Sequence, residues 1–185
     1  MMGRQERIVF LILIFRQYFI LMAVFYKSIE SPIGILNLCS DEQHLLSISF
    51  DGELCEQNGS VPDVLVETLK QLEEYFSGTR QVFDLLLNPG GTDFQKKVWE
   101  KVSTVIYGST MSYVDIAKIL GSSTFCRAVG MANGRNPIPI IIPCHRIIGN
   151  NGKLTGYAGG LERKRWLLLH EKMYSGKSGL FSDES

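Results

Sequence analysis

The segment Ile138-Pro139-Ile140-Ile141-Ile142-Pro143-Cys144-His145-Arg146 constrains this chain more than any other. Its apolar run has to be buried, and burial carries the Cys144 thiol into the fold with it. Pro143 fixes one backbone dihedral just before the sulfur and helps to hold its direction. A thiol becomes a strong nucleophile only on ionising, and an adjacent imidazole or positive charge lowers its pKa. The string therefore predicts a buried cysteine set up as a thiolate. Most buried cysteines are inert packing groups, so the rest of the chain has to decide.

Cys39, Cys55, Cys126 and Cys144 form no CxxC pair and no ligand-like cluster with the three histidines. That argues against a metal site and a disulfide framework, and for a reducing, cytoplasmic compartment. The formal net charge of zero hides a division. Residues 92–174 carry twelve Lys and Arg against five Asp and Glu, whereas residues 1–91 carry six against twelve. A basic module on a neutral chain suggests a polyanionic partner.

The 185 residues suffice for two small domains, flanked here by two terminal segments. Residues 1–22 form an apolar leader interrupted by Arg16-Gln17. Its runs are too short to span a bilayer, and no small-residue cleavage site follows them, so no membrane role is expected. The preferred reading is a true start at Met22. Residues 23–91 form a scaffold domain with its linker. Strand-like patterns cover Gly34 to Cys39 and His44 to Phe50, with Leu46, Ile48 and Phe50 alternating against Ser47 and Ser49. A helix is predicted from Asp63 to Ser77 with Leu65, Leu69, Leu72 and Phe76 on its inner face, then a strand from Phe83 to Leu87. No catalytic set is visible in this half.

After the Pro89-Gly90-Gly91 linker, residues 92–174 form a second domain, and 175–185 a flexible tail. Thr92-Asp93-Phe94-Gln95 is a capping box, with Phe94, Val98 and Val102 facing inward. Helices from Tyr113 to Leu120 and Thr124 to Ala132, joined by a Gly-Ser turn, make a helix-turn-helix candidate with Arg127 on its second helix. A last helix, Leu161 to Tyr174, carries Trp166, Leu169 and Met173 along one stripe. Its Glu171 can point into the fold and orient a histidine.

Together these pieces resemble the methylated-DNA–protein-cysteine methyltransferases, or 6-O-alkylguanine-DNA alkyltransferases. The resemblance rests on the string from Asn136 to Arg146, on Gly156-Tyr157-Ala158-Gly159-Gly160, and on Lys164 to Glu171. Phe94-Gln95, Ser112-Tyr113 and Arg127-Ala128-Val129-Gly130 match as well. It implies an α/β protein: a small ribonuclease-H-like domain with an antiparallel sheet, then an all-α, winged helix-turn-helix-like domain. It also implies a cofactor-free, single-turnover DNA-repair protein that takes a methyl or small alkyl group from 6-O-alkylguanine, and 4-O-alkylthymine, onto Cys144. Double-stranded DNA is the implied partner, with no protein partner and a monomeric state.

By the same resemblance, His145 takes the thiol proton through a water, Glu171 holds the imidazole in its working tautomer, and Tyr113 donates a hydrogen bond to the departing base. Arg127 fills the stack left by a flipped nucleotide, and Ala128, among the small residues of its helix, suits the minor groove. Asn136 links that helix to the active-site turn. Tyr157, Ala158 and Gly159 wall the alkyl pocket, the Ala158 amide facing the guanine oxygen. The Cys144 and Ile147 carbonyls hold the exocyclic amine, and Lys164 lies near the site. Two other classes remain open: a module that binds alkylated DNA without repairing it, and a Cys-His-Glu hydrolase acting through a thioester.

Overall fold

Short β-prone stretches with polar turns between them pair locally, and in the computed structural model, which describes residues 24–50, 52 and 60–176, they build a meander. Strands β1 (Phe25–Ile29), β2 (Leu36–Ser40) and β3 (Leu45–Ser49) form an antiparallel sheet in that order. Leu36 and Leu38 of β2 are fully buried. The alternation expected for β3 fails at one place. A register shift opposite Cys39 and Ser40 turns Leu45 inward alongside Ile48, leaving Leu46 only half-buried. The leader, Cys55 and the tail beyond residue 176 lie outside the described residues.

Helix α1 (Asp63–Phe76) covers this sheet. Leu65 and Leu72 face inward as expected, but the rest of the buried face is Thr68, Gln71 and Tyr75, while Leu69 and Phe76 lie at its margin. The face is turned by about one position, and Tyr75 thereby enters the core. The segment Phe83 to Leu87, expected as a strand, makes only a single parallel bridge from Leu87 to Leu45. Its polar groups are met otherwise: the Gln71 side chain bonds both the N–H and the carbonyl of Asp84.

The C-terminal half is helical around one small parallel pair. Helix α2 (Asp93–Ser103) opens on the anticipated capping box, with Thr92 and Gln95 exchanging hydrogen bonds. Its Val98, Trp99 and Val102 are buried, and the Trp99 indole N–H donates to the Ala132 carbonyl. Strand β4 (Met111–Ser112) leads into α3 (Tyr113–Ile119), which Ser112 and Asp115 cap reciprocally. After Gly121 the chain makes a 3₁₀ turn, Ser123–Phe125, before α4 (Cys126–Gly134), so the second helix of the pair begins later and ends later than expected. Ser122 accepts from the Thr124 N–H and holds that tight entry. Strand β5 (Ile147–Ile148) pairs with β4 in parallel. Helix α5 (Leu161–Tyr174) closes the fold over the bounds expected for it.

The expected stripe on α5 is not its buried face. Leu169 and Met173 are 58% and 75% exposed, whereas Lys164, Leu167, His170 and Glu171 are the buried residues. A helix that buries a lysine, a histidine and a glutamate needs polar partners inside the protein. Those partners make the site.

Candidate active site

The apolar run enters the centre of the molecule through a turn held at both ends. Asn136 donates from Nδ2 to the Ile142 carbonyl at 2.8 Å and accepts from the Ile138 N–H at 3.0 Å. The Ile48 N–H of β3 bonds the Pro137 carbonyl, so the N-terminal sheet braces the same turn. Ile140, a fully buried β-branched residue, has φ +75°, a conformation that costs of order 1–3 kcal/mol and persists only where surroundings enforce it. The turn delivers Cys144, His145 and Arg146 as a 3₁₀ turn, all three buried.

Cys144 is 3% exposed. Burial pushes its thiol up to about 11, and the Asn136 side chain and the Lys164 charge only partly oppose this. The expectation of a resting thiolate is therefore corrected: no charged group compensates for desolvation strongly enough, and the neutral thiol is the resting form. The neighbouring His145 ring is held by the last helix. Its Nε2 lies 2.7 Å from Glu171 Oε1, and its Nδ1 is buried without a hydrogen bond to a protein group. Burial lowers the imidazole pKa, with Glu171 pulling the other way, so His145 is neutral near pH 7 and Nδ1 is a free base.

Glu171 is held more tightly than its sequence suggested. Oε2 accepts from Arg146 Nε at 2.9 Å and from the Gly108 N–H at 3.2 Å, and Oε1 accepts from Arg146 Nη2 at 3.0 Å and from the Tyr75 hydroxyl at 2.9 Å. Burial would raise this carboxyl, but His145 and Arg146 outweigh it and hold Glu171 at about 2. Arg146, Tyr75 and Gly108 escaped the sequence reading. Arg146 directly follows the Cys-His pair and could have been suspected, since a buried cation demands an anion. Tyr75 lies in the half that showed no catalytic set.

Lys164 was expected beside the DNA and is instead fully buried, its Nζ donating to the carbonyls of Ile147 at 2.6 Å and Thr155 at 2.7 Å. A cation with two carbonyl acceptors inside the fold is a tie, not a phosphate contact; burial lowers its pKa to about 8. Asn136 is also buried and acts on the turn. Of the two carbonyls expected to meet the exocyclic amine, that of Cys144 already accepts from Asn133 Nδ2 at 3.2 Å and that of Ile147 from Lys164. The Cys144 carbonyl accepts from the Ile147 N–H as well, so both of its lone pairs are engaged inside the protein.

Tyr113, Tyr157 and Ala158 line an open cavity of about 410 Å³ with Cys126, Gly130, Gly134, Thr155 and Gly156. The Tyr113 hydroxyl donates to the Thr155 carbonyl at 3.3 Å. Burial raises the pKa of both tyrosines. Gly159 is buried behind the wall: a Cβ there would lie 2.8 Å from the Phe50 ring. Arg127 and Ala128 are exposed on α4; Gly130 and Gly134 of that helix line the cavity, and its Asn133 bonds the Cys144 carbonyl, so one helix links the cavity to the active-site turn. Among the described residues no group of His, Cys, Asp and Glu could hold a metal ion.

A buried thiol, a neutral base and a pinned carboxylate form one constellation. Two family models match the chain: that for 6-O-methylguanine DNA methyltransferase, DNA binding domain, matches residues 93–173, and that for its ribonuclease-like domain matches residues 24–89. The chain belongs to the methylated-DNA–protein-cysteine methyltransferase family. A relative of that name from Methanosarcina acetivorans is 47% identical over 155 residues, covering 80% of this chain and 98% of the relative. One from Mycolicibacterium paratuberculosis is 42% identical, covering 81% and 93%. The crystal structure of Mycobacterium tuberculosis O6-methylguanine methyltransferase superposes with a TM-score of 0.74 at 44% identity, covering 82% of this chain and 94% of that one. A structure of the same species' protein in complex with DNA gives 0.71 at 45% identity, covering 80% and 93%. The two-domain fold is that of the family, and DNA is bound by one of these neighbours.

Proposed function

We propose that this protein repairs DNA by transferring a methyl or small alkyl group from 6-O-alkylguanine, and from 4-O-alkylthymine, to Cys144. The observation that carries this is the polar relay behind the sulfur. Glu171 is an anion, Arg146 neutralises its cost, and Nε2 of His145 addresses it, so Nδ1 is the nitrogen left to receive a proton. As the thiol loses its proton to His145 through a bridging water, the sulfur attacks the alkyl carbon from the side opposite the guanine oxygen. The S–C bond forms, the C–O bond breaks, and its electron pair stays on the base oxygen. The Tyr113 hydroxyl donates to the departing base. The imidazolium formed is stabilised by Glu171.

Arg127 and Ala128 enter the minor groove, Arg127 filling the stack behind the flipped nucleotide. Tyr157, Ala158 and Gly159 wall the pocket, with Asn136 and Lys164 supporting it from behind. A thioether is a very poor leaving group, so each molecule acts once. The protein works as a monomer in the cytoplasm.

Incubation with duplex DNA carrying a tritiated methyl on guanine tests the reading. One equivalent of label on Cys144 supports it, and Cys144→Ala then binds DNA without taking label. Label that stays on DNA would mean a binding module, and repeated turnover would mean a hydrolase; either result overturns it.

A further inference from the structure

Tyr75 stands at the C-terminal end of α1 in the N-terminal half, 96 positions before Glu171, yet it meets helix α5 twice. Its hydroxyl donates to Glu171 Oε1 at 2.9 Å, and its backbone carbonyl, which accepts from the Gly78 N–H at 3.0 Å, also accepts from His170 Nε2 at 2.7 Å. The ring is fully buried and packs against Phe76, Phe83, Tyr107 and His170. We propose that Tyr75 is a positioning residue for the alkyl transfer, its hydroxyl sharing Glu171 Oε1 with His145 and thereby setting how firmly that carboxylate holds the imidazole. This makes the N-terminal half part of the catalytic relay, and it rests on the reading of Cys144 and His145 above.

Oε1 receives three donors: the Tyr75 hydroxyl, His145 Nε2 and Arg146 Nη2. Donors on one oxygen compete, because each withdraws the electron density that the others need. Burial and the Glu171 charge keep the Tyr75 phenol protonated, so it acts only as a donor. The other charged or titratable groups around the pair are Arg146, Lys164, Tyr107, Tyr157, His170 and Cys144. All of them stay in place when one phenolic oxygen is removed. Without that oxygen Glu171 becomes a stronger acceptor for His145, the imidazolium is favoured, and the base is lost at a higher pH.

The test is the pH profile of single-turnover transfer from methylated duplex DNA by the full chain, wild type against Tyr75→Phe. The acid limb of Tyr75→Phe should lie about half a pH unit or more above that of the wild type. Coincident limbs overturn the inference. Site-specific 3-fluorotyrosine at position 75 keeps the ring and strengthens the donor, so it should move the limb down; an unmoved limb again overturns the proposal, and this arm decides alone if Tyr75→Phe does not fold. Failure of the wild-type protein to take the methyl group would instead sink the reading of Cys144.

Discussion

Arg146 and Glu171 form a two-point ion pair inside the protein, with Nε 2.9 Å from Oε2 and Nη2 3.0 Å from Oε1. Arg146 also donates to the Val105 carbonyl at 2.6 Å. The pair ties the residue after the reactive cysteine and its base to the last helix. A buried ion pair adds little net stability over an apolar pair, yet breaking one side of it is costly.

Arg146→Met should therefore destabilise the fold by about 3–5 kcal/mol, because it strands the Glu171 carboxylate in the interior. Urea unfolding of the two proteins at pH 7 measures this. A loss well under 1 kcal/mol would mean that the carboxylate is compensated elsewhere.

Acid should act through the same carboxylate. Glu171 in the fold titrates at about 2 against an ordinary 4.5, so the unfolded chain takes its proton first. The stability it contributes is fully present above about pH 4.5 and is lost as pH falls toward 2. Glu171→Gln should flatten that part of the urea-midpoint profile while lowering stability at neutral pH. Identical slopes for both proteins between pH 5 and 2.5 would show that other groups carry the acid transition (window on the order of the cited shift).

The thiol should be slow toward simple alkylating agents. With Cys144 at about 11 in the fold, iodoacetamide labelling of the native protein should still be rising beyond pH 9, whereas the unfolded chain levels off earlier. His145→Ala should slow transfer to DNA about 100-fold or more at pH 7.5, since it removes the base. A native labelling midpoint below the ordinary cysteine value of 9.0 would contradict a neutral resting thiol.

Lys164→Met keeps the stem of the side chain and deletes the ammonium that joins the Ile147 and Thr155 carbonyls. The expected outcome is a loosened pocket wall: transfer rate falls, and amide exchange rises in residues 155–158. Unchanged exchange there would show that the loop is held by Arg163, which donates to the Gly159 carbonyl at 2.9 Å.

Arg127→Ala should separate base extrusion from chemistry. Its transfer rate from duplex DNA should drop while its rate from free 6-O-methylguanine stays near that of the wild type. A parallel drop on both substrates would place Arg127 in the pocket instead of the stack.

Local signals carried the C-terminal elements well. The capping boxes at Thr92 and Ser112 and the bounds of α5 follow from hydrogen bonds between neighbours in sequence, and the Cys144-His145 pair needs no long-range information to be noticed. The inner faces were legible only in part. On α1 a turn of about one position exchanged Leu69 and Phe76 for Thr68 and Tyr75, and on α5 three of the four buried residues, Lys164, His170 and Glu171, are polar and each meets a partner on another segment. Apolar periodicity cannot register such a face, since a buried Lys164 or Glu171 looks like a solvated one until its acceptor or cation is known.

The order of residues by itself determined that a thiol and an imidazole would lie side by side in an apolar turn, within a basic helical half. Only the tertiary structure decided what those groups are chemically. Burial makes the Cys144 thiol neutral, and the convergence of Arg146, Tyr75 and Gly108 on Glu171 keeps that carboxylate charged beside His145. Protonation states depend on solvent exclusion and on charges brought together from remote segments, and the three-dimensional packing alone sets both.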